Sequence, residues 1–174
     1  MKWIEKIQDW WLEVTLPRSH RRRIQQGRRT LEKLKAWLAC NEPHAEARTF
    51  AYLRKIDPLV FEELTLEAFH RAGHRIRRGR RYSGDGGADG YVMHAGRWCP
   101  VQCKRYASHI NPRHVADFIF VVERCRAPRG YFIHTGRTGA QSRETVRGTG
   151  AQIVMVSGKR LIDLLLGAAH FALL

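Results

Sequence analysis

Residues 83–90 read SGDGGADG, and VQCKRY follows at 101–106. Four glycines in eight residues suit neither a helix nor a long strand, because each ordered glycine carries a large entropic cost. They suit a tight loop that another group can approach closely. Ahead of this loop Val60, Phe61, Leu64, Ala68 and Phe69 recur at helical spacing; directly after it come two strand candidates, at 91–93 and 97–106. The loop therefore opens a β-hairpin, and the rest of the chain is organised around it.

Asp57-Pro58 marks a helix start, with Asp as the N-cap and Pro at the first helical position. Val60, Phe61, Leu64, Ala68 and Phe69 line one face of that helix, and Gly73 ends it. Ile76 lies in a short strand. Residues 91–93 and 97–106 form the hairpin. Asn111-Pro112 starts another helix, with Val115, Phe118, Ile119 and Val122 at i, i+3, i+4 and i+7. GYFIH (130–134) is a strand, 138–149 a helix, QIVMV (152–156) a strand, and 159–166 a closing helix. The order α-β-β-β-α-β-α-β-α predicts a mixed α/β domain around one central sheet over residues 57–174.

Residues 1–56 lack strand signals and read as a basic, amphipathic helical extension. Trp3, Ile7, Trp10, Trp11 and Val14 form one helical stripe that Pro17 ends. A second helix, capped by Ser19, carries Ile24, Leu31, Leu34 and Leu38 on one face. Its other face holds Arg21, Arg22, Arg23, Arg28, Arg29, Lys33 and Lys35. A third helix runs to about Ile56. These helices fit a hairpin packed on the main domain, a DNA-clamping or partner-binding arm, or a membrane-surface helix.

In a strand, Gln102 and Lys104 point to one face while Val101 and Cys103 point to the other. Twelve residues separate Asp89 from Gln102, a hairpin length that sets Asp89 beside Gln102 and Lys104. A carboxylate, an amide oxygen and a lysine then converge. That set suits a hard divalent cation, Mg²⁺ or Mn²⁺, held by Asp89 and Gln102. One carboxylate holds Mg²⁺ poorly, and Glu62 on the preceding helix is the second candidate. Lys104 can orient the attacking water or stabilise charge on a phosphate. Glu63 reads as part of a solvated helix face, and Asp85 as a turn residue.

FEEL (61–64), Gly73, GDGGADG (84–90), QCKRY (102–106), the helix at 110–118 and QIVMVSGKRLIDLL resemble the Mrr-like restriction endonucleases of the PD-(D/E)xK nuclease superfamily. The resemblance spans residues 59–166. It implies a restriction-endonuclease-like mixed sheet flanked by helices, with Asp89, Gln102, Lys104 and Glu62 as catalytic residues. Gln102 stands where the superfamily motif has Asp or Glu. Mrr-like members often carry Gln there, at the cost of one negative charge near the metal.

Thirty-one Lys and Arg against sixteen Asp and Glu leave a formal charge of +15, and a pI near 10.5 points to a polyanionic partner, DNA first. Arg75, Arg77, Arg78, Arg80 and Arg81 cluster before the site and, with Arg105, are expected to contact phosphate. Gln141 and Ser142 lie near a helix start that could also meet a phosphate. Of the histidines, His94, His109, His114 and His134 could line a DNA path, without any ranking among them. Cys99 and Cys103 sit on the inward strand face as small hydrophobes rather than zinc ligands. The four cysteines and the absence of a signal core fit reduced thiols in a cytoplasm, and no apolar run approaches a span's length.

The expected activity is metal-dependent hydrolysis of DNA phosphodiesters. Double-strand cutting would require two centres and hence a homodimer. Two rival readings stay open: a DNA-binding module that cuts weakly or not at all, and a helical partner- or membrane-surface-binding protein.

Overall fold

A computed structural model describes residues 16–40, 42–79 and 87–168. The N-terminal stripe at Trp3–Val14 and the loop residues Arg80, Arg81, Asp85, Gly84 and Gly86 lie outside the described residues. The element order is α1 (Arg18–Ala39), α2 (Ala45–Leu53), α3 (Pro58–Arg71), β1 (Ile76–Arg78), β2 (Gly90–His94), β3 (Arg97–Lys104), α4 (Pro112–Arg124), β4 (Gly130–His134), α5 (Ala140–Arg147), β5 (Ile153–Val156) and α6 (Lys159–Leu166).

The strands form one sheet in the order β1-β2-β3-β4-β5. β1, β2 and β3 pair antiparallel; β3, β4 and β5 pair parallel. Each parallel step is bridged by one helix, α4 and then α5, as crossover connections require. The sheet is therefore mixed, with both faces covered. On one face Val92, Cys99, Val101, Cys103, Tyr131, Ile133, Val154 and Val156 pack with residues of α1, α2, α3 and α6. On the other, Phe132 and Ile153 pack with Val115, Phe118, Ile119, Val121 and Val122 of α4.

Local chemistry sets the helix ends. Asp57 caps α3 by accepting from the N–H groups of Leu59 and Val60. Gly73 N–H donates to the His70 carbonyl and His74 N–H to that of Phe69, the paired bonds of a Schellman stop. Asn111 caps α4 through the Arg113 N–H. The Ser19 cap does not form. α1 starts two residues earlier, at Arg18 with Pro17 at the cap position and no side-chain cap, because Pro17 already fixes the φ that the helix entry needs.

α1 lies tightly on α3. A Cβ at Gly27 would stand 2.8 Å from the backbone nitrogen of Leu64, so only glycine permits this approach. Ile24, Leu31 and Leu34 are buried there, as their spacing predicts. The polar side of the contact is an ion network that sequence reading missed. Glu63 is 3% exposed, not solvated. It pairs with His20 at 3.0 Å and with Arg78 at 2.9 Å. Glu67 pairs with Arg28, Arg71 and Arg78 at 3.0–3.1 Å. Two buried carboxylates need such partners, since an unpaired buried charge costs several kcal/mol.

Candidate active site

The hairpin and α3 bring three of the four expected residues together. Asp89 precedes β2. Its Oδ2 accepts from the Cys103 N–H at 2.6 Å, and its own N–H donates to the Val101 carbonyl. The carboxylate is thus pinned against the Gln102–Cys103 peptide, on the strand that carries Lys104. Glu62 is half-buried on α3, within electrostatic range of Asp89 and Lys104.

The charges report the same proximity. Burial, reinforced by the Asp89 and Glu63 carboxylates, pushes Glu62 up to about 8, with Lys104 pulling the other way. Burial raises Asp89 to about 6, while the Cys103 N–H and Lys104 hold it down. The Cys103 thiol is held well above its ordinary value, by burial first and then by the Asp89 and Glu62 charges. Two carboxylates that repel in a low-dielectric site titrate as a pair. A cation between them removes both the repulsion and the desolvation cost.

Gln102 is placed differently. Its Nε2 donates to the Gly87 carbonyl at 2.8 Å, which fixes the amide's orientation. Its Oε1 is buried and meets no hydrogen-bond donor. A buried orphan acceptor is costly, and a hard cation is one group that would satisfy it. Gly87 is itself a constrained partner: its φ is +94° and a Cβ would stand 2.9 Å from a Val121 methyl. The glycine loop therefore shapes the site through one residue whose conformation an L side chain rarely adopts. The donor set of two carboxylates and one unsatisfied amide oxygen fits a divalent ion of the Mg²⁺ class. Among the described residues no cluster of three or more His, Cys, Asp and Glu could hold a metal ion. Cys99 and Cys103 are buried free thiols packed with apolar residues.

The arginine run separates on inspection. Arg78 is committed to Glu63 and Glu67 with a side chain 13% exposed, so it leaves the expected DNA-facing set. Its guanidinium compensates two buried charges rather than meeting solvent. Arg77 is exposed and lies over the rings of Tyr91 and Trp98. Arg105 donates to the carbonyls of Arg54 and Ile56, fastening the α2–α3 linker beside Lys104. Arg54 in turn donates to the Thr135 carbonyl at 3.0 Å. Arg75 and Gln141 are exposed, while Ser142 is buried.

Two of the histidines have defined surroundings. His134 stands opposite Lys104 in the β3–β4 register. Burial lowers it to about 4, so it is neutral and does not repel Lys104. His114 bonds the Tyr106 hydroxyl at 2.6 Å. No sequence pattern marks these pairs, because they join residues across different elements.

Comparisons with known proteins bear on the family and the fold. The family Mrr_cat, described as "Restriction endonuclease", matches residues 53–165. The type IV methyl-directed restriction enzyme EcoKMrr of Escherichia coli (strain K12) is 28% identical over 121 residues, covering 66% of this chain and 40% of that enzyme. This chain thus spans about two-fifths of that relative's length. The MspJI restriction endonuclease, solved in complex with a 27-mer oligonucleotide, superposes with a TM-score of 0.51 at 27% identity, over 71% of this chain and 31% of that one. With a mixed five-stranded sheet, Asp89 bonded to the strand that carries Lys104, and a family match over 53–165, the chain belongs to the Mrr-type restriction endonuclease family.

Proposed function

We propose that this chain is a divalent-metal-dependent endonuclease that hydrolyses DNA phosphodiesters, with Mg²⁺ or Mn²⁺ as cofactor and Glu62, Asp89, Gln102 and Lys104 as its working residues. The observation that carries the reading is the Glu62–Asp89 pair: two carboxylates pushed above their ordinary values near Lys104, with Gln102 on the same strand as Lys104 keeping an amide oxygen without a donor. The names of the relatives, restriction enzymes in both cases, support the same activity.

Glu62, Asp89 and the Oε1 of Gln102 would hold the cation. When bound, it supplies Lewis-acid stabilisation of phosphate charge and a lowered pKa for nearby water. Lys104 stabilises the negative charge that grows on the phosphate and orients the attacking water. The Cys103 N–H fixes which Asp89 oxygen stays free. The Gly87 carbonyl holds the Gln102 amide so that its oxygen, not its nitrogen, is available. Neutral His134 keeps a second positive charge away from Lys104. Phosphate contacts are assigned to Arg75, Arg77, Arg80, Arg81 and Arg105.

One observation favours a second reading, a DNA-binding member that cuts weakly. Gln102 brings no charge, so two carboxylates alone must neutralise the metal. Supercoiled plasmid incubated with Mg²⁺, Mn²⁺ or EDTA separates the two. Nicked or linear product with either metal and none with EDTA is the expected result. Retarded but intact plasmid under all conditions would favour the weak-cutting module.

A further inference from the structure

A pair of half-buried rings and one exposed arginine lie on the same sheet face as Gln102 and Lys104. Along β3 the odd residues Cys99, Val101 and Cys103 enter the core under α3. The even residues Trp98, Gln102 and Lys104 therefore share the opposite face. Tyr91 packs toward that same side, at the margin of the α4 cluster. Arg77 stands directly across from Tyr91 in the β1–β2 register, and Tyr91 across from Pro100 in β2–β3.

The Arg77 guanidinium carbon lies 4.3 Å from the Tyr91 ring centroid and 5.2 Å from that of Trp98. Arg77 is exposed, and among the described residues it has no carboxylate partner. Its neighbour Arg78 has two. Rings order a guanidinium without neutralising it. They also leave its N–H edge open for a bidentate bond to a phosphate. Pro100 and Lys104 are four residues apart on β3, a rise of about 13 Å. Arg77 lies two strands further out, so it stands about 16 Å from Lys104. At 3.4 Å per base pair that is on the order of five base pairs of duplex.

We propose that Arg77, cradled by Tyr91 and Trp98, forms a second DNA-binding site that grips a backbone phosphate about five base pairs from the scissile one and aligns the duplex across this face. The proposal rests on the endonuclease reading for the choice of partner. Arg77 is a positioning residue here and touches no reacting atom.

The test is duplex binding by fluorescence anisotropy over a salt series, in Ca²⁺ to hold back cleavage, for wild type, Arg77→Ala, Arg77→Lys and Trp98→Leu. Plasmid cleavage and thermal melting of each protein run in parallel. Arg77→Ala is expected to weaken binding about tenfold and to lower the slope of log K against log salt by about one. Arg77→Lys should keep the slope and lose about threefold in affinity, since a point charge replaces the fork. Trp98→Leu should weaken binding several-fold with the slope unchanged. Lower melting temperatures with wild-type affinity and slope would make the cradle a structural contact and overturn the proposal. Wild type that binds and cuts, beside an Arg77→Ala protein that matches it, overturns this inference alone. Wild type that neither binds nor cuts overturns the endonuclease reading with it.

Discussion

Asp89→Asn should make the metal-free protein more stable, and only above acidic pH. The carboxylate is part-buried near Glu62, and its folded value of about 6 stands above the ordinary 3.8. An acid whose folded pKa is raised favours its neutral form in the fold. Its destabilisation is absent below about pH 3.8, grows through the window from 3.8 to 6, and is complete above it. About two units at about 1.36 kcal/mol each set an upper bound near 3 kcal/mol. Solvent access and the weaker bond from the Cys103 N–H to a neutral amide reduce this to about 1–2 kcal/mol. For a chain of this size that is roughly 3–8 °C in melting temperature. Thermal melts in EDTA from pH 4 to 8 should show the two proteins converging at the acid end and Asn ahead at pH 7. Millimolar Mg²⁺ should then raise the melting temperature of wild type and leave the variant unmoved. A variant that melts at or below wild type at pH 7 would mean that Lys104 and the Cys103 N–H already neutralise Asp89. The site would then not be poised for a cation.

Other outcomes follow from the same geometry. Gln102→Glu should move the Mg²⁺ half-saturation point of cleavage to lower concentration, because a charged oxygen replaces a neutral one; a metal titration of plasmid cleavage reads it. Arg78→Ala should cost about 2–3 kcal/mol in denaturant unfolding, since Glu63 and Glu67 stay buried with fewer partners. Duplex affinity should fall with salt by several units of log K per decade, at about −0.9 for each phosphate neutralised, as measured by anisotropy at 50–300 mM salt; a flat response would detach the +15 charge from nucleic acid.

The parts of the fold written in short-range chemistry were readable from the sequence. Asp57-Pro58, Asn111-Pro112 and Gly73 fix helix ends through bonds that span only a few residues. The short run GYFIH and the closing segment 159–166 were read with the limits that β4 and α6 show. At the site, the alternation along β3 placed Gln102 and Lys104 correctly opposite the buried Val101 and Cys103. What escaped was long-range polar pairing. Glu63 read as solvated because nothing local predicts His20, forty-three residues away. Arg78 read as a phosphate contact for the same reason: on paper it is one of five arginines, and only the fold sets it against two carboxylates. The Arg77 cradle likewise depends on a strand register that no local signal encodes. The Ser19 cap failed in the opposite way, because a local rule that favours serine lost to the restricted φ of Pro17.

In the proposed reaction Lys104 acts at the reacting phosphate while other cations hold the duplex. Single-turnover cleavage of plasmid in saturating Mg²⁺ by wild type and Lys104→Ala, with duplex affinity measured on the same preparations, tests it most directly. The expected result is a rate lowered by about 10²-fold or more, as for loss of one preorganised charge contact, with affinity changed less than threefold. A Lys104→Ala protein that cuts at the wild-type rate would contradict the account.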